Sequence, residues 1–148
     1  MIRHITLTSL VAALVFLPLS AIAGDHDRGL ANVFIILSSD SPQTQGMAMV
    51  LANTMADEGA AVDVLLCGAA GDMALAKGNG GPSLAPRGVT PGKLLEVLMN
   101  KGASVFVCAL YLPNSDYTEE DLAKGVSVAK PPEMTARMQN PEVRVFTF

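Results

Sequence analysis

The hydrophobic pattern of this chain changes period repeatedly along its length. Residues 32–38 read Asn-Val-Phe-Ile-Ile-Leu-Ser, a continuous apolar run of strand length, as expected for a strand covered on both faces. From Pro42 the spacing lengthens. Met47, Val50, Leu51, Thr54 and Met55 recur at helical intervals and predict a helix that buries them and stops at Gly59. Residues 61–67 form a second strand pattern ending at Gly68, and residues 72–77 suit one or two helical turns. Residues 77–90 carry Gly78, Gly80, Gly81, Pro82, Pro86 and Gly88 without a hydrophobic period, and loops of this length are usually mobile or functional.

Pro91 then follows Thr90 at a first-helical position, and Leu94, Leu95 and Leu98 give a stripe up to Gly102. Residues 104–109 are a third strand. Residues 118–124 form a short acidic helix in which Thr118 and Asp121 have capping-box spacing. Residues 126–129 are a fourth strand. Pro131-Pro132 opens a last helix carrying Met134 and Met138, and residues 143–148 are a fifth strand. Strands alternating with helices predict an α/β fold: a three-layer α/β/α sandwich on a five-stranded parallel sheet. The expected order is flavodoxin-like, 2-1-3-4-5. The pattern shows neither an internal repeat nor a second domain.

The start of the chain follows a different logic. Arg3 and His4 precede an almost wholly apolar stretch, residues 5–19, and then Ser20-Ala21-Ile22-Ala23. This is the layout of a signal peptide with cleavage after Ala23. Its apolar run reaches only roughly 22 Å as a helix, short of the ~30 Å of a bilayer core. The expected organisation is a leader over 1–23 and one domain over 24–148, exported to the periplasm without a stable membrane anchor. Loss of Arg3 leaves nine of the ten basic residues against 14 acidic ones, a net charge of −5. That balance offers nothing to nucleic acid or an anionic membrane surface.

Chemistry in such a sheet sits beyond the carboxyl ends of the strands, at a switch point expected between strands 1 and 3. Three segments belong to that edge: Ser38-Ser39-Asp40-Ser41, Cys67-Gly68-Ala69-Ala70, and Cys108-Ala109-Leu110-Tyr111. The serines and Asp40, with Tyr111, are candidate ligand-binding groups for a small anion at a helix N-terminus, although serines there commonly serve as caps. Cys67 and Cys108 are the only two cysteines. In the order 2-1-3-4-5 their strands flank strand 1, about 9.6 Å apart at ~4.8 Å per strand. A disulfide needs Cα atoms within about 7 Å, so direct bridging would require a loop to fold across strand 1. Each cysteine is then a buried hydrophobe or a reactive thiol, and helix N-termini facing this edge favour a thiolate.

Other chemistry is poorly supported. His26 is the only histidine after the leader and lies in the polar Asp25-His26-Asp27 segment, which reads as a solvated tail. The methionines fall at core spacing, so no metal site is expected. The glycines at 78, 80 and 81 do not open a helix after a strand, and no dinucleotide or other cofactor is expected.

The order of elements resembles the DsrE/DsrF-like sulfur-relay family over nearly all of residues 24–148. The resemblance rests on Gln45-Gly-Met-Ala-Met-Val-Leu-Ala-Asn53 after the first strand and on Val62-Asp-Val-Leu-Leu66. It rests further on Leu94-Leu-Glu-Val-Leu-Met-Asn-Lys-Gly102 feeding Val105-Phe-Val-Cys108, and on Leu122-Ala-Lys-Gly-Val126. It implies a five-stranded domain assembled as a homo-oligomer, a trimer or hexamer. It also implies a strand-end cysteine, here Cys108, that carries sulfur as a persulfide between a donor and an acceptor protein. Cys67 is a second candidate thiol. Well-studied relay members are cytoplasmic, whereas the start of this chain reads as an export leader.

Two readings follow. In the first the protein is a thiol-based sulfur carrier with sulfurtransferase-like activity. In the second it is a non-catalytic ligand-binding or assembly module with buried, unreactive cysteines and with Leu110-Tyr111-Leu112 covered by a neighbouring subunit. A disulfide-exchange protein is the weakest alternative, because the chain has no C-x-x-C motif.

Overall fold

The computed structural model describes residues 32–77 and 80–148. The expected leader over 1–23 and the segment around His26 lie outside the described residues. No helix among the described residues is long and apolar enough to cross a membrane.

The expected α/β sandwich is present. Five parallel strands, β1 (Asn32–Leu37), β2 (Val62–Leu66), β3 (Ser104–Val107), β4 (Val126–Val128) and β5 (Val143–Thr147), form one sheet. Helices α1 (Pro42–Asp57) and α2 (Pro91–Asn100) cover one face, where Ile35, Leu37, Val64, Leu66, Val105 and Val107 pack with Met49, Ala52, Leu95 and Leu98. Helix α3 (Pro131–Gln139) covers the other face, placing Met134 against Phe34 and Ala129. Along β1, β2 and β3 alternate residues therefore serve opposite faces, which is why these strands read as unbroken apolar runs.

The strand order differs from expectation. It is β4-β3-β2-β1-β5, not 2-1-3-4-5. A right-handed crossover fixes the side on which a helix lies only once the direction of the step is known. The Asn53 side chain on α1 donates to the Leu94 carbonyl of α2 at 2.9 Å, holding the two helices side by side on one face. With both helices there, the steps from β1 to β2 and from β2 to β3 run the same way. The link from β3 to β4 stays on that side too, pinned by a bridge between Leu75 and Leu122. Only α3 crosses the opposite face, returning the chain to the free edge of β1. The switch point thus lies between β1 and β5, where the Ser38 N–H donates to the Phe148 carbonyl at 2.9 Å. Strands β2 and β3 are direct neighbours.

Local signals held well at helix starts. Ser41 accepts from the Thr44 N–H and Thr90 from the Lys93 N–H, each ahead of a proline in the first turn. The acidic helix shortens to a 3-10 turn, Glu119–Asp121, where the Thr118 N–H and hydroxyl both donate to the Asp121 carboxylate. Those bonds hold the Asp121 carboxyl below the usual range. The turns expected over 72–77 form earlier, as a 3-10 segment, Gly68–Ala74.

The buried face of α1 was misread by its apolar spacing. Met47, Val50 and Leu51 are 56%, 45% and 37% exposed, while Gln45, Gly46, Ala48, Met49, Ala52 and Asn53 are buried. Small residues on the inner face let the helix sit close to the sheet, and the two polar ones are bonded inside: Gln45 donates to the Ser39 carbonyl, and Asn53 to those of Met49 and Leu94. Leu84 seats on Gly46, so the glycine-rich connection is tethered to α1 near its middle, with Leu84 and Val89 bridged.

Candidate functional site

Both cysteines stand one residue beyond the last paired positions of their strands. Leu66 pairs with Val107, so Cys67 and Cys108 are the next residues in the same register. Each is pinned by its backbone: the Cys67 N–H donates to the Leu37 carbonyl at 2.9 Å, and the Cys108 N–H to the Leu66 carbonyl at 2.8 Å. Opposed residues of neighbouring strands point to the same face. The two cysteines follow Leu65 and Phe106 by alternation, on the side that α3 covers.

This row of residues, Ser38, Cys67 and Cys108, is the centre of the candidate site. The order 4-3-2-1-5 overturns the expected separation of the two strands across β1. Both thiols are free and partly exposed. The Cys67 thiol is pushed up to about 12 by burial first, and then by its hydrogen bond to the Cys108 thiol and the charge that forms there. Cys67 therefore stays protonated at neutral pH.

The remaining candidates divide. Ser38 lies beside Cys67 but bonds to the Phe148 carbonyl through its N–H. Ser39 accepts from the Ser41 N–H at 3.2 Å and Ser41 caps α1, so both hydroxyls serve the loop. Asp40 is exposed on the same loop. Tyr111 turns away from that loop: its hydroxyl donates to Asp72 Oδ1 at 2.6 Å, and its ring stacks on Tyr117 with centroids 6.5 Å apart. Burial first, then the Asp72 carboxylate, hold the phenol proton well above its usual range. Tyr111 thus fastens the loop after β3 to the segment after β2, three residues beyond one cysteine and five beyond the other.

Sequence reasoning missed Gly71 and Asp72, the partners of Tyr111. A Cβ at Gly71 would run into the Tyr111 ring, so a glycine there lets the tyrosine lie flat. It also missed Arg137, which reaches from α3 to Asp63 Oδ2 at 2.7 Å and lies 4.8 Å over the Phe106 ring. Arg137 clamps α3 onto β2 and β3 on the face that carries the cysteines farther along. Its position on a short polar helix gave no signal of this.

Two clefts lie elsewhere. One of about 660 Å³ is lined by Met73, Thr90, Leu95, Met99 and Gly125 among others. Another of about 580 Å³ lies between α1 and the 84–89 turn. Neither is lined by a cysteine.

No family model and no curated protein matches the chain. Solved structures do. The YchN protein of E. coli superposes with a TM-score of 0.66 at 16% identity, covering 80% of this chain and 99% of its own. MTH1491 from Methanobacterium thermoautotrophicum, described as a protein of unknown function, gives 0.62, again at 16% identity and with 80% and 99% covered. The chain has the YchN-like fold. At this identity the likeness is one of architecture, and it spans nearly the whole of both relatives.

Proposed function

We propose that this protein is an exported, DsrE/DsrF-like sulfur carrier in which Cys108 holds sulfur as a persulfide. The observation that carries the reading is a partly exposed thiol at the carboxyl end of β3, facing a second thiol, in a YchN-like fold. Cys108 would take sulfane sulfur as its thiolate and pass it to an acceptor protein. Cys67, protonated beside it, supplies a hydrogen-bond donor to the sulfur anion, which is the interaction that stabilises a thiolate. The leader-like start of the sequence supports a periplasmic location.

Assembly as a homo-oligomer is part of this proposal. Met47, Val50 and Leu51 form an exposed apolar stripe on α1, and Leu110, two residues past Cys108, is 71% exposed. Contiguous exposed apolar side chains of this kind mark interaction surfaces.

Brief treatment of the native protein with inorganic polysulfide, followed by alkylation and peptide mapping, tests the reading. Added sulfur on the Cys108 peptide at the earliest time point, and none on the Cys108→Ser variant, is expected. Uptake by neither thiol would overturn it.

A further inference from the structure

A carrier needs one cysteine, and this site has two in register. We propose that Cys67 is the resolving thiol of Cys108: it displaces the sulfur held on Cys108, closes a disulfide between β2 and β3, and releases hydrogen sulfide. This step rests on the sulfur-carrier reading above.

Three features of the structure carry it. Neighbouring strands lie about 4.8 Å apart, and a disulfide forms at Cα separations of roughly 4.4–6.8 Å. Cys67 and Cys108 continue the Leu66–Val107 register and already contact each other through their side chains. Each backbone N–H is hydrogen-bonded to the neighbouring strand, so neither cysteine must travel to meet the other. The chain holds no third cysteine, which leaves Cys67 as the sole internal thiol that can perform the step.

The chemistry balances with one co-reactant, a sulfane-sulfur donor of the polysulfide class. Cys108 thiolate attacks the terminal sulfane sulfur, a Cys108 S–S bond forms, and the shortened donor leaves as its anion. The Cys67 sulfur then attacks Cys108 Sγ. The bond from Cys108 to the outer sulfur breaks, its electron pair leaves with that sulfur as hydrosulfide, and the Cys67 proton goes with it. Two thiol sulfurs each lose one electron, and the sulfane sulfur gains two. A dithiol reductant restores the pair by ordinary exchange.

The same contacts provide a delay. Two of the three causes that keep Cys67 protonated, the hydrogen bond and the charge, come from Cys108 itself. Once Cys108 Sγ carries a second sulfur, the anionic charge sits on the outer atom, one bond farther from Cys67.

The test follows the wild-type protein and the Cys67→Ser and Cys67→Ala variants after a pulse of inorganic polysulfide. Sulfide release and peptide mapping without reductant are recorded against time. In the wild type, sulfur on Cys108 is expected to be transient, giving way to a Cys67–Cys108 disulfide with about one sulfide released per chain. Both variants are expected to keep sulfur on Cys108 at least about tenfold longer. If the wild type holds its persulfide as long as the variants do, or releases sulfide without forming the disulfide, the resolving role fails while the carrier reading stands. If no sulfur loads on Cys108 in wild type or variants, both fail together.

Discussion

Cys67 owes its properties first to burial and then to one residue across the sheet. Its thiol ionises only at about 12 when folded, against about 8.5 for a free cysteine. Between those values the unfolded chain has released this proton and the folded chain has kept it, so the unfolded state binds fewer protons and stability falls as pH rises. The contribution is complete below about pH 8.5 and disappears toward pH 12. Urea unfolding between pH 8 and 10.5 should show a steeper alkaline loss for wild type than for Cys67→Ala. Tyr111, raised in the same sense, stays common to both. Removing the partner acts on the same group: in Cys108→Ala, Cys67 loses two of its three perturbing causes, and its alkylation at pH 9 should quicken by up to about tenfold per unit of pKa recovered. Gly71 gives a purely steric case. Gly71→Ala sets a methyl group against the Tyr111 ring and should cost about 1–3 kcal/mol in thermal or urea unfolding. A second change, Tyr111→Ala, should relieve most of that clash.

Among the elements, α1 and α2 are joined through a buried amide. Asn53 donates to two carbonyls, those of Met49 and Leu94, and its Oδ1 has no protein partner. Asn53→Ala leaves the part-buried Leu94 carbonyl without that donor and should destabilise by about 1–3 kcal/mol, read as a lowered urea midpoint with an unchanged slope. This amide also explains where pattern reading stopped. Five strands, the proline-led helix starts and the Thr118–Asp121 cap were legible because each depends on neighbours in sequence. The inward face of α1 was not, because glycine, alanine and two amides that donate to backbone carbonyls pack inside while a more hydrophobic stripe stays out. Strand order was not legible either. It depends on α1 and α2 sharing a face, and nothing in the local pattern distinguishes that from placement on opposite faces. The cysteine pair was hidden for the same reason: both residues were visible as candidates, but their adjacency is a property of the order 4-3-2-1-5.

At the scale of the whole molecule, the α1 stripe and the thiol edge describe a protein with surface left to cover. Val50→Glu places a charge in the middle of the exposed apolar stripe without touching the buried face of α1. The variant should fold as the wild type does by circular dichroism, yet dissociate at least about tenfold more readily, ~1.4 kcal/mol, in light scattering across a dilution series. The carrier account itself depends on the two thiols being chemically unequal within the folded protein. The direct measurement is alkylation of the reduced native protein with iodoacetamide at pH 7.5, mapped to each cysteine by peptide mass. The account predicts that Cys108 is modified first and that Cys67 follows only much more slowly in the native protein. Modification of Cys67 before Cys108, or of neither thiol until the protein unfolds, would contradict it.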